Sequence, residues 1–130
     1  MASLKATLSL SSTDVSSDAL SFTVTDTATV VAPMENVARI TATTTGGSSI
    51  IAPNTDAVRY IYIKHLGLNS AGGSSGADQV KVETADGTEI MRISKDEFAF
   101  FPHHAGGAGK IQLEATANTV QVEYAYYTRS

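Results

Sequence analysis

The chain has no cysteine and no tryptophan, and only 17% of its 130 residues carry charge. Without thiols there is no disulfide framework, no thiolate metal site and no thiol nucleophile, so the fold must rest on apolar burial and backbone pairing. The charge that is present leans acidic. Nine Lys and Arg against thirteen Asp and Glu leave a formal net charge of −4. That balance opposes binding to a phosphate backbone, which needs clustered cations to release counterions, and nucleic acid is not expected as a partner. Long apolar runs are missing too. None approaches the ~18 residues of a membrane-spanning helix. The opening Met1-Ala2-Ser3-Leu4-Lys5-Ala6-Thr7-Leu8 alternates where a signal peptide would be continuously apolar. Neither a membrane partner nor a leader is expected.

In place of these the chain offers hydroxyl side chains and period-two alternation, which on a pleated strand sends neighbouring side chains to opposite faces. No segment keeps helical spacing. Leu20-Ser21-Phe22-Thr23-Val24-Thr25 is expected to bury Leu20, Phe22 and Val24 on one face, with Ala28 to Val31 as its continuation or its partner. Arg59-Tyr60-Ile61-Tyr62-Ile63-Lys64 is apolar on both faces, the signature of a central strand. Gln79 to Thr84 and Glu89 to Ile93 flank Asp86-Gly87, a hairpin signal because primed turns need positive φ. Phe98-Ala99-Phe100-Phe101 ends at Pro102, which cannot donate to a ladder. Lys110 to Ala115 and Thr119 to Tyr127 alternate strictly around a short turn and are expected to pair as a terminal hairpin. The fold expected is all-β: an antiparallel sandwich, jelly-roll-like, of eight or nine short strands. It forms one domain over residues 1–130, with a flexible Gly/Ser loop at 69–78.

Catalytic and metal chemistry find little support. His65, His103 and His104 are the obvious metal candidates, but adjacent histidines on extended backbone point apart. They read as polar loop residues, and no metal or other cofactor is expected. Gly73-Ser74-Ser75-Gly76 lacks a strand-to-helix nucleophile elbow. Gly109-Lys110 is not followed by Ser or Thr, as a phosphate loop requires. Asp86-Gly87-Thr88-Glu89 lacks the ladder of oxygen ligands of a calcium loop. Glu83, Glu89, Glu97, Glu114 and Glu123 alternate with apolar residues and are expected to form a solvent-facing row. The aromatic residues are more informative. Tyr60, Tyr62, Phe98, Phe100, Phe101, Tyr126 and Tyr127 are the candidate core or interface anchors, since each combines a large apolar body with strand placement.

Three segments carry a resemblance. Val58-Arg59-Tyr60-Ile61-Tyr62-Ile63-Lys64-His65-Leu66-Gly67, Arg92 to Pro102 and Thr119-Val120-Gln121-Val122-Glu123-Tyr124-Ala125 together resemble small virion structural proteins of tailed bacteriophages. Those chains show an apolar "YIYIKN" strand, a Gly-rich excursion, a "GEF…P" element and a C-terminal "VEYA" strand. Asp96 stands where a Pro-Gly turn is usual and His65 where Asn is common, so both turns are expected to differ in geometry. The resemblance implies a non-enzymatic capsid decoration (cement) protein, made in the host cytoplasm and placed on the virion surface. Its implied partners are the major capsid protein and further copies of itself. The alternatives are a virion adhesion or carbohydrate-binding module using the loops at 72–76 and 103–109, or a tail or neck component.

Overall fold

The computed structural model describes residues 2–31, 37–53, 57–104 and 109–130. They form ten strands and no helix: β1 (Ala2–Ser12), β2 (Leu20–Val30), β3 (Ala38–Thr43), β4 (Ser49–Ala52), β5 (Arg59–His65), β6 (Val80–Glu83), β7 (Glu89–Ile93), β8 (Phe98–His103), β9 (Ile111–Ala115) and β10 (Thr119–Thr128). The strand not foreseen is β4, four residues long and interrupted by a register shift between Ile50 and Ala52, too short for alternation to show.

Contact divides the chain into two compact units, one holding the β1–β2 pair and the other β3 to β10. The first is an antiparallel ribbon in continuous register from Ala2 opposite Val30 to Ser12 opposite Leu20. Ala28 to Val30 thus continue β2 rather than pair with it. Alternation gives the ribbon one apolar face, with Leu8 opposite Val24 and Leu10 opposite Phe22, and one hydroxyl face. The shared face is as expected, but the burial is not: Leu20, Phe22 and Val24 stand exposed, because the ribbon pairs only with itself and joins neither sheet of the sandwich. On the hydroxyl face the Thr7 and Thr25 hydroxyls lie 3.1 Å apart and those of Ser9 and Thr23 2.9 Å apart, cross-strand hydrogen bonds that pin the register.

The second unit is two four-stranded antiparallel sheets, ordered β3-β10-β5-β8 and β4-β9-β6-β7. Their inner side chains make one core. Ile61, Ile63, Val120 and Val122 come from the first sheet; Val80, Val82, Ile111 and Leu113 come from the second; all are fully buried. As expected, β5 is central, flanked by β10 and β8. The hairpin β6–β7 also forms. Its turn is longer than the two-residue one its Asp-Gly suggested: Gly87 N–H donates to Thr84 O at 3.1 Å and Thr84 N–H to Thr88 O at 3.0 Å. Gly87 has φ +84°, whereas Asp86 stays out of the left-handed region. The Asp86 carboxylate closes the turn by accepting from the Thr84 hydroxyl and the Thr88 N–H, which pulls its pKa down to about 2.

The expected terminal hairpin is not formed. β9 lies in the second sheet between β4 and β6, and β10 lies in the first between β3 and β5. A link of three residues carries the chain across the sandwich. Asn118 turns it with φ +50°, and Thr116 N–H anchors it to Gln79 O at 2.9 Å. The physical reason is burial: crossing sets Ile111 and Leu113 against Val120 and Val122 from opposite sheets, whereas a hairpin would leave both rows side by side on one sheet. Pro102 does not end β8 but sits inside it, tolerated because β8 is an edge strand with an unpaired side.

Residues 69–78, read from composition as a flexible excursion, are laced together around Asn69. Its Oδ1 accepts from Ala71 N–H and Gly73 N–H, each at 3.0 Å, and its backbone N–H donates to Gly73 O at 2.8 Å. Gln121 of β10 then holds the segment, its amide donating to Asn69 O at 2.8 Å.

Two substitutions should move stability in opposite directions. Leu113→Ala empties a fully buried site between the sheets and should cost about 2–5 kcal/mol. Asp96, at φ +68° in the turn closed by Glu97 N–H donating to Ser94 O, occupies backbone that favours glycine, so Asp96→Gly should gain up to about 1 kcal/mol. Urea unfolding should show the first as a lower midpoint and the second as a higher one, both with an unchanged slope.

Candidate functional site: an aromatic sheet face

Inner positions of the β3-β10-β5-β8 sheet are spoken for by the core, so its other face must meet solvent or a partner. Register names the residues there. Tyr60 opposes Tyr127 and Pro102, Tyr62 opposes Ala125 and Phe100, and Lys64 opposes Glu123 and Phe98. Five candidate anchors, Tyr60, Tyr62, Phe98, Phe100 and Tyr127, therefore share one outer surface. Phe98 is 63% exposed and Phe100 39%, unusual for phenylalanines held on a regular strand. The other two candidates face inward. Phe101 and Tyr126 pack against the core, and Tyr126 carries the Arg59 guanidinium 5.7 Å from its ring centroid.

This face is organised. The rings of Tyr60 and Phe100 stack with centroids 5.6 Å apart and planes within 7° of parallel. Ala125, small enough to lie beneath the neighbouring rings, is almost completely covered. The Tyr62 hydroxyl donates to Glu123 Oε1 at 2.9 Å, fixing that ring. Burial, then the bond to Glu123 and its charge, push the Tyr62 phenol up to about 12. Charges stand only at the border, where Lys64, Glu123 and Arg39 meet along one line of the register.

The opposite sheet mixes ion pairs with apolar side chains on its exposed positions, where Ile50 of β4 and Ile90 of β7 stand 45% and 42% exposed. Lys81 Nζ meets Glu114 Oε1 at 2.8 Å, and Arg92 holds Glu89 through two bonds of 2.8 and 2.9 Å. Such a lattice of exposed pairs contributes little stability but keeps a surface wet. One member of the expected row of carboxylates departs from it. Glu83 is buried, its Oε2 accepting from the Gln112 amide at 3.1 Å, because it closes β6 directly beside β9.

Among the described residues no three of His, Asp and Glu lie close enough to share a metal ion. His65 is fully buried with both ring nitrogens engaged. Nδ1 accepts from Gly67 N–H at 3.0 Å, so Nε2 carries the proton and donates to Asp78 O at 2.9 Å. It is the pin that ties the end of β5 to the loop after it, and its own backbone pairs with Asp96 and Glu97. His103 lies on β8 opposite Arg59. Burial, and then the Arg59 charge, push His103 below its ordinary range. Of the loops assigned to adhesion, 105–108 lie outside the described residues. Arg59 itself was not singled out by the sequence, although a cation at an inner position of an otherwise apolar strand was the available signal; it is buried and donates to Gly109 O at 3.3 Å.

Comparison with protein-family models, with curated proteins and with solved structures finds no match.

The Tyr62 phenol gives a direct readout of this face. Its pKa rises from 10 to about 12 on folding, so the stabilisation tied to its protonated form is complete below pH 10 and is lost as pH climbs toward 12. Spectrophotometric titration should show one late-ionising tyrosine. Tyr62→Phe should remove that phase and flatten the fall of stability over the same window; an unchanged late phase would place the bond elsewhere.

Proposed function

We propose that this chain is a non-enzymatic decoration (cement) protein of a tailed-phage capsid, binding the outer surface of the shell built by the major capsid protein and working there with further copies of itself. The observation that carries this reading is the aromatic face of the β3-β10-β5-β8 sheet: a contiguous, ring-stacked surface with charge only at its border. Apolar bodies with few compensating charges are what the centre of a protein interface is made of. The ion pairs of the opposite sheet, Lys81 with Glu114 and Arg92 with Glu89, support the same reading, since a protein seated on a shell must also present a side to water.

The strand order supports it further. From β3 to β10 every connection but the β6–β7 hairpin crosses between the sheets ordered β3-β10-β5-β8 and β4-β9-β6-β7, an order compatible with a jelly roll. That architecture serves viral capsid and lectin domains. The phage resemblance of β5, β8 and β10 falls on the three strands that build the aromatic face. A cement protein adds one modest contact per copy, repeated over a closed shell, and needs no pocket.

Particles lacking the chain should assemble with normal dimensions but lose genome at a lower temperature, and purified protein added back should restore resistance. Phe98→Ser with Phe100→Ser removes exposed rings only, so the fold should persist, while shell binding should weaken by at least about 30-fold, as for truncation of a central aromatic anchor. Heat-stable particles that fail to adsorb to cells would instead assign the chain to adhesion, and normal heads without tails would assign it to the tail or neck.

A further inference from the structure

The β1–β2 ribbon poses its own problem. A two-stranded antiparallel hairpin is marginal in water unless something covers one face. Here Leu8, Leu10, Leu20, Phe22 and Val24 stand 36–54% exposed on a single face, while the other face is satisfied by its hydroxyl ladder. Natural strands with such an uncovered apolar row invite pairing with another molecule.

We propose that the ribbon is an exchange arm whose apolar face covers the aromatic sheet face of a second copy of this chain. The proposal rests on the reading of that sheet face as an interface and names a second copy as what covers it, so that loss of Phe98 and Phe100 weakens shell binding by separating copies paired on the shell. Area decides between the ways two copies could meet. Five half-exposed side chains of about 150–200 Å² each leave roughly 400 Å² of apolar surface on the arm. Two arms packed on each other would bury about 800 Å² in all, the size of a casual contact. Exchange of arm for sheet face in both directions buries about twice as much and enters the ~1,200–2,000 Å² range of stable dimers. The chemistry matches as well. Leucine and valine rows set against tyrosine and phenylalanine rings bury apolar bodies on both sides, and the tyrosine hydroxyls supply the polar contacts.

The absence of native cysteine makes the test clean. Full-length Val24→Cys and Phe100→Cys chains, mixed and treated with a short bismaleimide, should yield the mixed dimer as the main covalent product. Sedimentation of the unmodified chain should show an oligomer at micromolar concentration, and Phe22→Ser should shift it to monomer with the circular dichroism spectrum unchanged. A monomeric unmodified chain overturns the exchange, and so does predominance of products joining two Val24→Cys chains. Failure here with shell stabilisation intact removes the arm exchange and leaves the decoration reading. Mixed dimers from a chain that does not stabilise shells do the reverse.

Discussion

Everything in the two-sheet unit depends on one constraint: a strand has two faces, and the apolar rows of two sheets must close on each other to form a core without disulfides, metal or helix packing. Ile61, Ile63, Val80, Val82, Ile111, Leu113, Val120 and Val122 meet that demand, each fully buried. The order of strands follows. β9 and β10 separate into different sheets because their rows are worth more face to face than side by side. Two buried polar side chains are paired in place: His65 spends both ring nitrogens on backbone, and Glu83 accepts from Gln112.

Closing the core leaves two outer faces, and the chain treats them differently. One carries ion pairs, Lys81 with Glu114 across β6 and β9 and Arg92 with Glu89 along β7, beside the exposed Ile50 and Ile90. The other carries rings, with Glu123 tied up by Tyr62. Phe98 and Phe100 stand at successive outward positions of β8, where each exposes apolar area that burial would otherwise recover.

Turns tie this surface to the core. Asp96 and Asn118 take left-handed backbone at the entry to β8 and to β10, two of the three strands that carry the aromatic rows. The Asp96 turn is hydrogen-bonded to His65, so the end of β5 and the start of β8 are set against each other by backbone as well as by ladder. The Asn69 network holds the long connection from β5 to β6 against β10 through Gln121. Register sets Phe100 diagonally from Tyr60, opposite Tyr62, and the Tyr60 and Phe100 rings stack across that diagonal.

The sequence by itself determined the all-β character, the inward and outward rows of most strands, the central place of β5 and the β6–β7 hairpin. Each of these is a local property: alternation is read within a strand, and a glycine at Gly87 sets its own φ. It also picked out the aromatic residues, but alternation has no sign. Nothing in Phe98-Ala99-Phe100-Phe101 says which row faces the core, so only the paired sheets decided that Phe98 and Phe100 look outward while Phe101 and Tyr126 look in. The separation of β9 from β10, the burial of Glu83 and Arg59 and the brief β4 were decided at the same level. Each depends on which strand lies alongside, and that is a contact between residues far apart in the chain, chosen by the total area buried and not by any short stretch of residues.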